Sequence, residues 1–330
     1  MSLYKRLTLW LVAIVICLSS AMLVACDDTI QDKGENTAKF SVNYLDVGEG
    51  NCVVVRFPDG KTLLMDCGSP AKTIYNNIKS TLDGLGVNKI DYFLLSHPDD
   101  EHIGNAPQIL TDYTVETVFC PYIISPELFP TYEQALAIIE QKGITKQYSQ
   151  MGVRVVKDDY CFAMLSPQLI SDPTGAYYDF NLAYEPTKKQ ADALSPIVYL
   201  ECLGIRFMFT GDTTTSQENY FINLHNIGYY REFFAGVGMS LTLENIDYLM
   251  LSNGGDINGN SYEFLSVTKP KNVVISVGGN NYYGHPSSYV LNRVLEANPE
   301  CKMYRTDVYG NICVRVNQVG ISEVTTSLNK

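Results

Sequence analysis

The chain has 330 residues, of which 46% are hydrophobic and 18% are charged, and its formal net charge is −12. This composition is typical of a globular protein with one large core, and the length allows one or two domains. The acidic balance argues against a broad nucleic-acid surface, because tracking a phosphate backbone needs clustered lysine and arginine side chains.

Residues 1–25 have the pattern of a lipoprotein signal peptide. Lys5 and Arg6 form a short positive region, an apolar run follows from Leu7 to Leu18, and small residues precede Cys26. We therefore predict that Cys26 is lipidated and anchors the chain to a membrane. The domain would then lie at the bacterial cell surface or on the extracytoplasmic face of the cytoplasmic membrane. The alternative is an uncleaved anchor, since the apolar stretch before Cys26 is nearly long enough to span a bilayer.

Residues 26–38 are polar and without periodicity, which predicts a flexible tether to one domain over residues 39–330. The seven cysteines after Cys26 are odd in number and singly placed, so we predict buried free thiols and no disulfide framework.

The first part of the domain predicts strands that end at carboxylates. Residues 40–45 alternate in polarity, and residues 51–65 read as a hairpin around Pro58-Asp59-Gly60. Asp66 ends the returning strand, and a helix is predicted over residues 73–85. A carboxylate at a strand end can support a metal ligand through a hydrogen bond, so Asp66 is a candidate supporting residue.

The stretch from Ile90 to Gly104 carries the densest set of candidate metal ligands. An apolar strand is predicted to end at Ser96, after which come two imidazoles and three carboxylates: His97, Asp99, Asp100, Glu101 and His102. Nitrogen and oxygen ligands together suit zinc, and manganese or iron would also fit. The alternative is a solvated acidic turn, but two of the four histidines in the chain lie here. The stretch therefore predicts a divalent metal site.

The rest of the chain predicts strands and helices in a similar order. Strands are predicted at 115–120, 153–156, 160–165, 197–202, 205–210, 246–251 and 271–277, with a last strand pair at 301–306 and 310–316; helices are predicted at 131–142, 216–225 and 287–297. Residues 166–196 read as a long loop over the site. Asp212 follows a strand, whereas His225 lies on a helix and is interpreted as structural. Polar residues after several strands indicate two packed sheets with helices outside and one site on their shared rim.

Several segments, in this order, resemble the metallo-β-lactamase superfamily, in particular its branch related to the hydrolase domain of the ComEC competence proteins. The segments are Leu45-Asp46-Val47-Gly48-Glu49-Gly50, Met65-Asp66-Cys67-Gly68, Ser96 to Gly104 (SHPDDEHIG), Thr210-Gly211-Asp212, Gly284-His285-Pro286, and Arg305-Thr306-Asp307 before Gly310. The resemblance covers about residues 39–316. It implies an α/β fold, a four-layer αβ/βα sandwich with a metal site on its rim.

The resemblance also implies a set of ligands. His97 and Asp99 would bind one divalent ion, Glu101 and His102 a second, and Asp212 would bridge the two, with zinc favoured and manganese as the alternative. Asp66 would support these ligands.

One later position departs from the family pattern. Where the family has His-His-Gly-Ser, this chain has Ser252-Asn253-Gly254-Gly255. Asn253 offers a neutral amide oxygen in place of an imidazole, and residues 193–196 add no ligand, so the site is expected to hold one or two ions. His285 is either a late ligand or a general acid near the leaving group.

Two functions follow as alternatives. The first is an exported, lipid-anchored, metal-dependent hydrolase that acts on a phosphodiester or related ester through a metal-activated water. The second is a non-catalytic ligand-binding protein on a degenerate fold of the same family, in which the tyrosine pairs Tyr177-Tyr178, Tyr229-Tyr230 and Tyr282-Tyr283 would contact the ligand. Ordinary packing is the simpler account of those pairs.

Overall fold

The computed structural model describes residues 40–123, 126–167 and 191–328. The predicted signal peptide and tether, and most of the predicted loop over 166–196, lie outside these residues. None of the helices in the described ranges is both long enough and apolar enough to cross a bilayer.

The described residues form two mixed β-sheets. The strands are β1 (Phe40–Tyr44), β2 (Val53–Arg56), β3 (Thr62–Met65), β4 (Lys89–Leu94), β5 (Thr114–Cys120), β6 (Thr145–Tyr148), β7 (Arg154–Val156), β8 (Tyr160–Met164), β9 (Val198–Cys202), β10 (Ile205–Phe209), β11 (Tyr248–Met250), β12 (Asn272–Ile275), β13 (Lys302–Arg305), β14 (Ile312–Val316) and β15 (Ser322–Thr326). The first sheet has the order β15-β14-β1-β2-β3-β4-β5-β6, and the second has the order β13-β12-β11-β10-β9-β8-β7.

Helices cover the outer faces of both sheets. They are α1 (Lys72–Gly84), α2 (Asp100–Ile103), α3 (Ala106–Asp112), α4 (Pro130–Lys142), α5 (Thr215–Asn226), α6 (Tyr229–Ala235), α7 (Tyr262–Thr268), α8 (Ser288–Ala297) and α9 (Thr306–Tyr309). Short 3₁₀ turns lie at Pro126–Leu128, Asp192–Leu194 and Ser252–Gly255.

Because side chains alternate between the two faces of each strand, the buried apolar residues form three separate layers of hydrophobic core. Val53 and Val55 of β2 face the second sheet and share one core with Phe207 and Phe209, whereas Val54 packs on the other side beneath the helices α1, α3 and α4. A third core lies between the second sheet and the helices α5 to α8. Successive side chains of a strand point to opposite faces, so each sheet is buried on both sides. This is the four-layer αβ/βα sandwich that the family resemblance implied.

The direction of the strands places the site. In the first sheet β3, β4, β5 and β6 run parallel, and in the second β10, β11, β12 and β13 do so. Parallel strands deliver their following loops to one edge, where open α/β sheets hold ligands. The loops after β3, β4, β10, β11 and β12 carry Asp66, the ligand turn, Asp212, Asn253 and His285, respectively.

One predicted pairing is wrong. The segments at 301–306 and 310–316 do not pair with each other: β13 pairs with β12 in the second sheet, whereas β14 pairs with β1 and β15 in the first. The single turn α9 and Gly310, at φ +64°, carry the chain from one sheet to the other. Adjacent strands in sequence read as a hairpin because the pattern of residues does not reveal which sheet each strand joins.

The elements that escaped the sequence analysis include β6, α6, α7, α9 and β15. All residues of β6 are exposed, so this edge strand lacks the apolar alternation that predicts a strand. The expectation for the cysteines is confirmed, since all seven described cysteines are free and five of them are buried.

A buried carboxylate connects two of the helices that pack on the second sheet. Glu218 of α5 is completely buried, and its two carboxylate oxygens accept hydrogen bonds from the backbone amides of Asn260 (2.6 Å) and Ser261 (2.8 Å). Burial raises the pKa of Glu218, and the hydrogen bonds from Ser261 and Asn260 and the charge of Arg293 oppose that rise. The side chain therefore joins α5 to the loop that begins α7.

We expect Glu218→Gln to lower the free energy of unfolding by about 1–3 kcal/mol, because an amide nitrogen would face one of the two backbone donors and leave it unpaired. Urea denaturation followed by circular dichroism measures the change. The matched control is Glu232→Gln on the exposed side of α6, with an expected change within about 0.5 kcal/mol. Equal midpoints for the two variants would contradict the structural role of Glu218.

Candidate metal centre and its cleft

The ligand turn lies between a central strand and a short helix. Strand β4 is parallel to both of its neighbours, β3 and β5, and its chain leaves the sheet after Leu94. The carbonyl of Asp99 accepts hydrogen bonds from the amides of His102 (2.9 Å) and Ile103 (3.0 Å), which starts α2. Gly50 packs against this turn so closely that a Cβ there would lie 1.8 Å from the carbonyl oxygen of Glu101.

Asp66 holds the turn in place. One of its carboxylate oxygens accepts from the amide of Ser96 (2.8 Å), and the other lies 2.7 Å from the Ser96 hydroxyl and 2.9 Å from Nδ1 of His102. Asp66 is buried and has φ +56°, a left-handed conformation that non-glycine residues seldom adopt. The predicted supporting residue therefore does contact a predicted ligand.

His97, His102 and Asp212 come together on the rim. Nε2 of His97 lies 3.6 Å from Oδ2 of Asp212, and Nε2 of His102 lies 3.2 Å from Oδ1 of the same carboxylate. One ligand atom from each of the three residues falls within 4.8 Å of the others, and all three residues are buried. Two imidazoles and a carboxylate at this separation suit a divalent transition metal.

Ser195 links the two sheets at this cluster. Its hydroxyl lies 3.1 Å from Nδ1 of His97 and accepts a hydrogen bond from the amide of Asp212 (3.1 Å). Ser96 also contacts Nδ1 of His97, at 2.9 Å. With Nδ1 engaged by two hydroxyls, Nε2 of His97 is the nitrogen directed at the carboxylate. Ser195, in the segment 193–196, therefore orients a candidate ligand.

A second group of ligand atoms contains a residue that the sequence analysis missed. His97, Asp99 and Asp192 also bring one ligand atom each within 4.8 Å of one another. Asp192 begins a short 3₁₀ turn just before Ser195. It stands in a segment with no clear periodicity and matches none of the quoted motifs, so only its proximity to the strand 197–202 could have pointed to it.

A cleft opens beside these clusters. It is lined by Glu49, Gly50, Asn51, Asp99, Glu101, His102, Asp192, Asp212, Asn253, Gly254, Asp256, Ser276, Tyr283 and His285. Six of these residues are carboxylic acids, and none of the described residues that line the cleft is lysine or arginine. Burial raises the pKa of Glu49, which the nearby His285 opposes and Glu101 reinforces.

Glu101 reaches the cleft without joining either close group of ligand atoms found in the described ranges, and Asn253 also lines the cleft. The backbone of Asn253 is left-handed, at φ +46°, and its backbone N–H donates a hydrogen bond to the carbonyl of Gly211 (2.9 Å). Ser252 is buried and donates its hydroxyl to the carbonyl of Thr213. The metal-binding role of Glu101 and the supporting role of Asn253 stay predictions.

His285 lines the same cleft as His102. Its Nε2 lies 3.3 Å from Oδ2 of Asp256, and its ring stacks on Tyr283 with centroids 5.6 Å apart. This arrangement is compatible with a proton donor or acceptor oriented by a carboxylate. His225 lies on α5 beside Glu244, at 3.5 Å, and contacts no predicted site residue among the described contacts.

The charges around His102 change its protonation. Burial by itself would lower the pKa of this imidazole, but the carboxylates of Asp212 and Asp66 outweigh burial and raise the pKa well above the ordinary value of 6.5. Without a metal, these two carboxylates therefore favour the protonated form of the His102 imidazole.

We expect the metal-free protein to lose stability as the pH rises above 6.5 through the folded-state pKa of His102. A raised folded-state pKa means that the native state binds the proton more tightly than the unfolded chain, so this contribution is complete below 6.5 and disappears above the folded value. Urea denaturation of chelator-treated protein between pH 6 and 9 measures the slope. His102→Gln should flatten the slope, whereas His225→Gln should retain it; identical slopes in all three proteins would contradict the assignment.

Comparison with known proteins gives a family for part of the chain. Residues 45–158 match the model of the metallo-beta-lactamase superfamily. Over 325 residues, 94% of this chain, the sequence is 25% identical to ComE operon protein 3 of Bacillus subtilis (strain 168). It is also 25% identical over 289 residues, 87% of the chain, to competence protein ComA of Neisseria gonorrhoeae. The chain spans about a third of the length of each relative, 36% and 33% respectively.

Solved structures with a similar fold include Igni18, a metallo hydrolase from Ignicoccus hospitalis KIN4/I, and a diphosphatase from the PhnP family. The first is 17% identical with a TM-score of 0.47 over 87% of this chain and 100% of that one. The second is 11% identical with a TM-score of 0.41 over 88% and 100%. The family model and the two competence proteins confirm the resemblance predicted from the motifs: residues 45–158 match the metallo-beta-lactamase superfamily, and the chain is similar to competence proteins of the ComE and ComA type.

Proposed function

We propose that this protein is a metal-dependent hydrolase. The observation that carries the proposal is the buried cluster of His97, His102 and Asp212, with Asp99 and Asp192 next to it. The donors fit a divalent metal because imidazole nitrogen and carboxylate oxygen are its common ligands, and because Asp66 and Ser195 orient the imidazoles through their other nitrogens. Zinc suits this donor set best, and manganese is the alternative.

A divalent ion held by His97, His102 and Asp212 would act as a Lewis acid and would make water a stronger nucleophile near neutral pH. The residues of the chain supply the rest. Asp66 keeps Nε2 of His102 directed into the cleft, and Ser96 and Ser195 do the same for His97. His285, held by Asp256, lines the same cleft and is the candidate to donate a proton there. This arrangement supports hydrolysis of a phosphodiester or related ester, with His285 as the candidate general acid.

We expect the full-length protein, purified without chelator or nickel affinity resin, to contain one or two equivalents of zinc, manganese or iron. Elemental mass spectrometry measures the content. His97→Ala and Asp212→Ala should each lose most of the metal because each removes a donor from the cluster. The matched control is Asp83→Asn on the exposed face of α1, which should keep the wild-type content. No metal in the wild type after reconstitution with excess zinc and manganese would refute the proposal.

The second candidate is a ligand-binding protein without turnover. It is favoured by Ser252 and Asn253, which stand where the resemblance leads one to expect two histidines, and by the hydroxyl of Ser252 being bonded to the backbone instead of facing the cleft. Ligand binding that survives both chelation and His97→Ala would support this candidate. Metal-dependent turnover would exclude it.

We also propose that Cys26 is lipidated and anchors the protein outside the cytoplasmic membrane. The support is the signal pattern in residues 1–25. Intact-mass measurement of protein expressed in a bacterial host should show cleavage before Cys26 and an added lipid, with the unprocessed precursor accumulating in globomycin. Cys26→Ser should abolish the lipid, and Cys313→Ser is the control. A wild-type mass equal to the uncleaved, unmodified chain would contradict the proposal.

A further inference from the structure

An aromatic side chain forms one wall of the cleft. Tyr283 lies on the loop that follows β12, and one face of its ring stacks on the imidazole of His285 at an interplanar angle of 25°. More than half of Tyr283, 56%, remains exposed. Among the predicted tyrosine pairs, Tyr230 is buried and donates its hydroxyl to the carbonyl of Leu165, which is ordinary packing. Tyr283 is different, because its free surface adjoins the candidate metal centre.

The loop that carries Tyr283 is closed by one side chain. The amide nitrogen of Asn281 donates to the carbonyls of Gly278 (3.0 Å) and His285 (2.7 Å), and its oxygen accepts from the amide of His285 (2.8 Å). These three bonds span the loop, so Tyr283 and His285 keep their relative positions. Because the loop is already ordered, a ligand that binds against Tyr283 does not have to offset the entropy cost of ordering it.

The carboxylates that line the cleft repel anions at positions outside the candidate metal site. Asp99, Asp192 and Asp212 are in the ligand clusters, but Glu49, Glu101 and Asp256 are not, although all three line the cleft. Asp256 is paired with His285, and Glu49 interacts with the charge of His285, which stacks on Tyr283. A concave site lined by charges of one sign concentrates ligands of the opposite sign. An exposed aromatic face beside carboxylates is a recognised environment for an ammonium group, which the ring attracts through its quadrupole.

We propose that Tyr283 and Glu49 form a subsite for a positively charged group, and that the substrate is a phosphodiester or related ester carrying such a group on one side of the bond that is cleaved. The subsite rests on the proposed hydrolase function, since it adjoins the same centre. An extended nucleic acid is disfavoured at this subsite, because the carboxylates of Glu49 and Asp256 would repel a further phosphate. An ammonium-bearing ester places its anion at the metal and its cation on the tyrosine.

The test compares two phosphodiesters that differ in one atom. The first is the 4-nitrophenyl ester of phosphocholine, and the second is 3,3-dimethylbutyl 4-nitrophenyl phosphate, in which carbon replaces the quaternary nitrogen. Both release the same 4-nitrophenol, so their chemical reactivity is matched. The metal-reconstituted full-length protein should show kcat/KM about two- to fivefold higher for the cationic substrate, as a solvent-exposed cation–aromatic contact supplies.

Substitutions at Tyr283 and Glu49 test which side chain is responsible for the preference for the cationic substrate. Tyr283→Leu should reduce the preference to near one, Tyr283→Phe should keep it because the ring face remains, and Glu49→Gln should reduce it in part. Tyr289→Leu is the matched control, since Tyr289 is also exposed, at 68%, but does not line the cleft. No preference in the wild type, or a preference unchanged by Tyr283→Leu, would overturn the proposal.

A binding measurement separates this proposal from the proposed function. Calorimetric titration with benzyltrimethylammonium should show binding to the wild type and to Tyr283→Phe, and loss of binding in Tyr283→Leu. Binding with this dependence but no hydrolysis of either ester under any metal would keep the subsite and refute the hydrolase. Hydrolysis of both esters at equal rates, without binding of the ammonium probe, would refute the subsite and keep the hydrolase.

Discussion

The site depends on one buried carboxylate. Asp66 leaves β3 in a strained left-handed conformation and accepts three hydrogen bonds, two from Ser96 and one from His102. A carboxylate excluded from water is tolerated when such donors satisfy it. Through Ser96 and His102 it determines where the strand β4 ends and where the helix α2 begins. The orientation of both imidazoles follows from this constraint.

The candidate centre exists only where the two sheets meet. The first sheet contributes His97 and His102, and the second contributes Asp212 together with the loop of Tyr283. The two groups are brought into register by the apolar core between the sheets, in which Phe57 stacks on Tyr160 with ring centroids 3.9 Å apart. Packing of this core and formation of the cleft are therefore one event, and a substitution in the core can disturb the metal ligands without touching them.

The sequence predicted the parts of this arrangement that depend on local pattern. Three strands have an alternating or continuous apolar pattern, and each is followed by a carboxylate or an imidazole: Asp66, the ligand turn or Asp212. Because these strands run in the same direction within each sheet, their polar ends were expected to meet on one rim. Asp192 was missed because no periodic element contains it and only tertiary packing brings it to His97. The separation of β13 from β14 was missed for a related reason, since strand partners are chosen by the whole sheet. The stacking of Tyr283 on His285 likewise depends on a loop that Asn281 closes.

The pairing of β1 with β14 has a consequence for how the protein is made. Strand β1 opens the described chain, and β14 lies almost at its end, yet the two are antiparallel neighbours from Phe40 opposite Val316 to Tyr44 opposite Ile312. A ribosome releases β1 long before β14, so the edge of β1 that pairs with β14 stays without its partner until residue 316 has emerged. Contacts between such distant segments slow folding. This part of the native sheet can therefore close only after the more than 250 residues between the two strands have been synthesised.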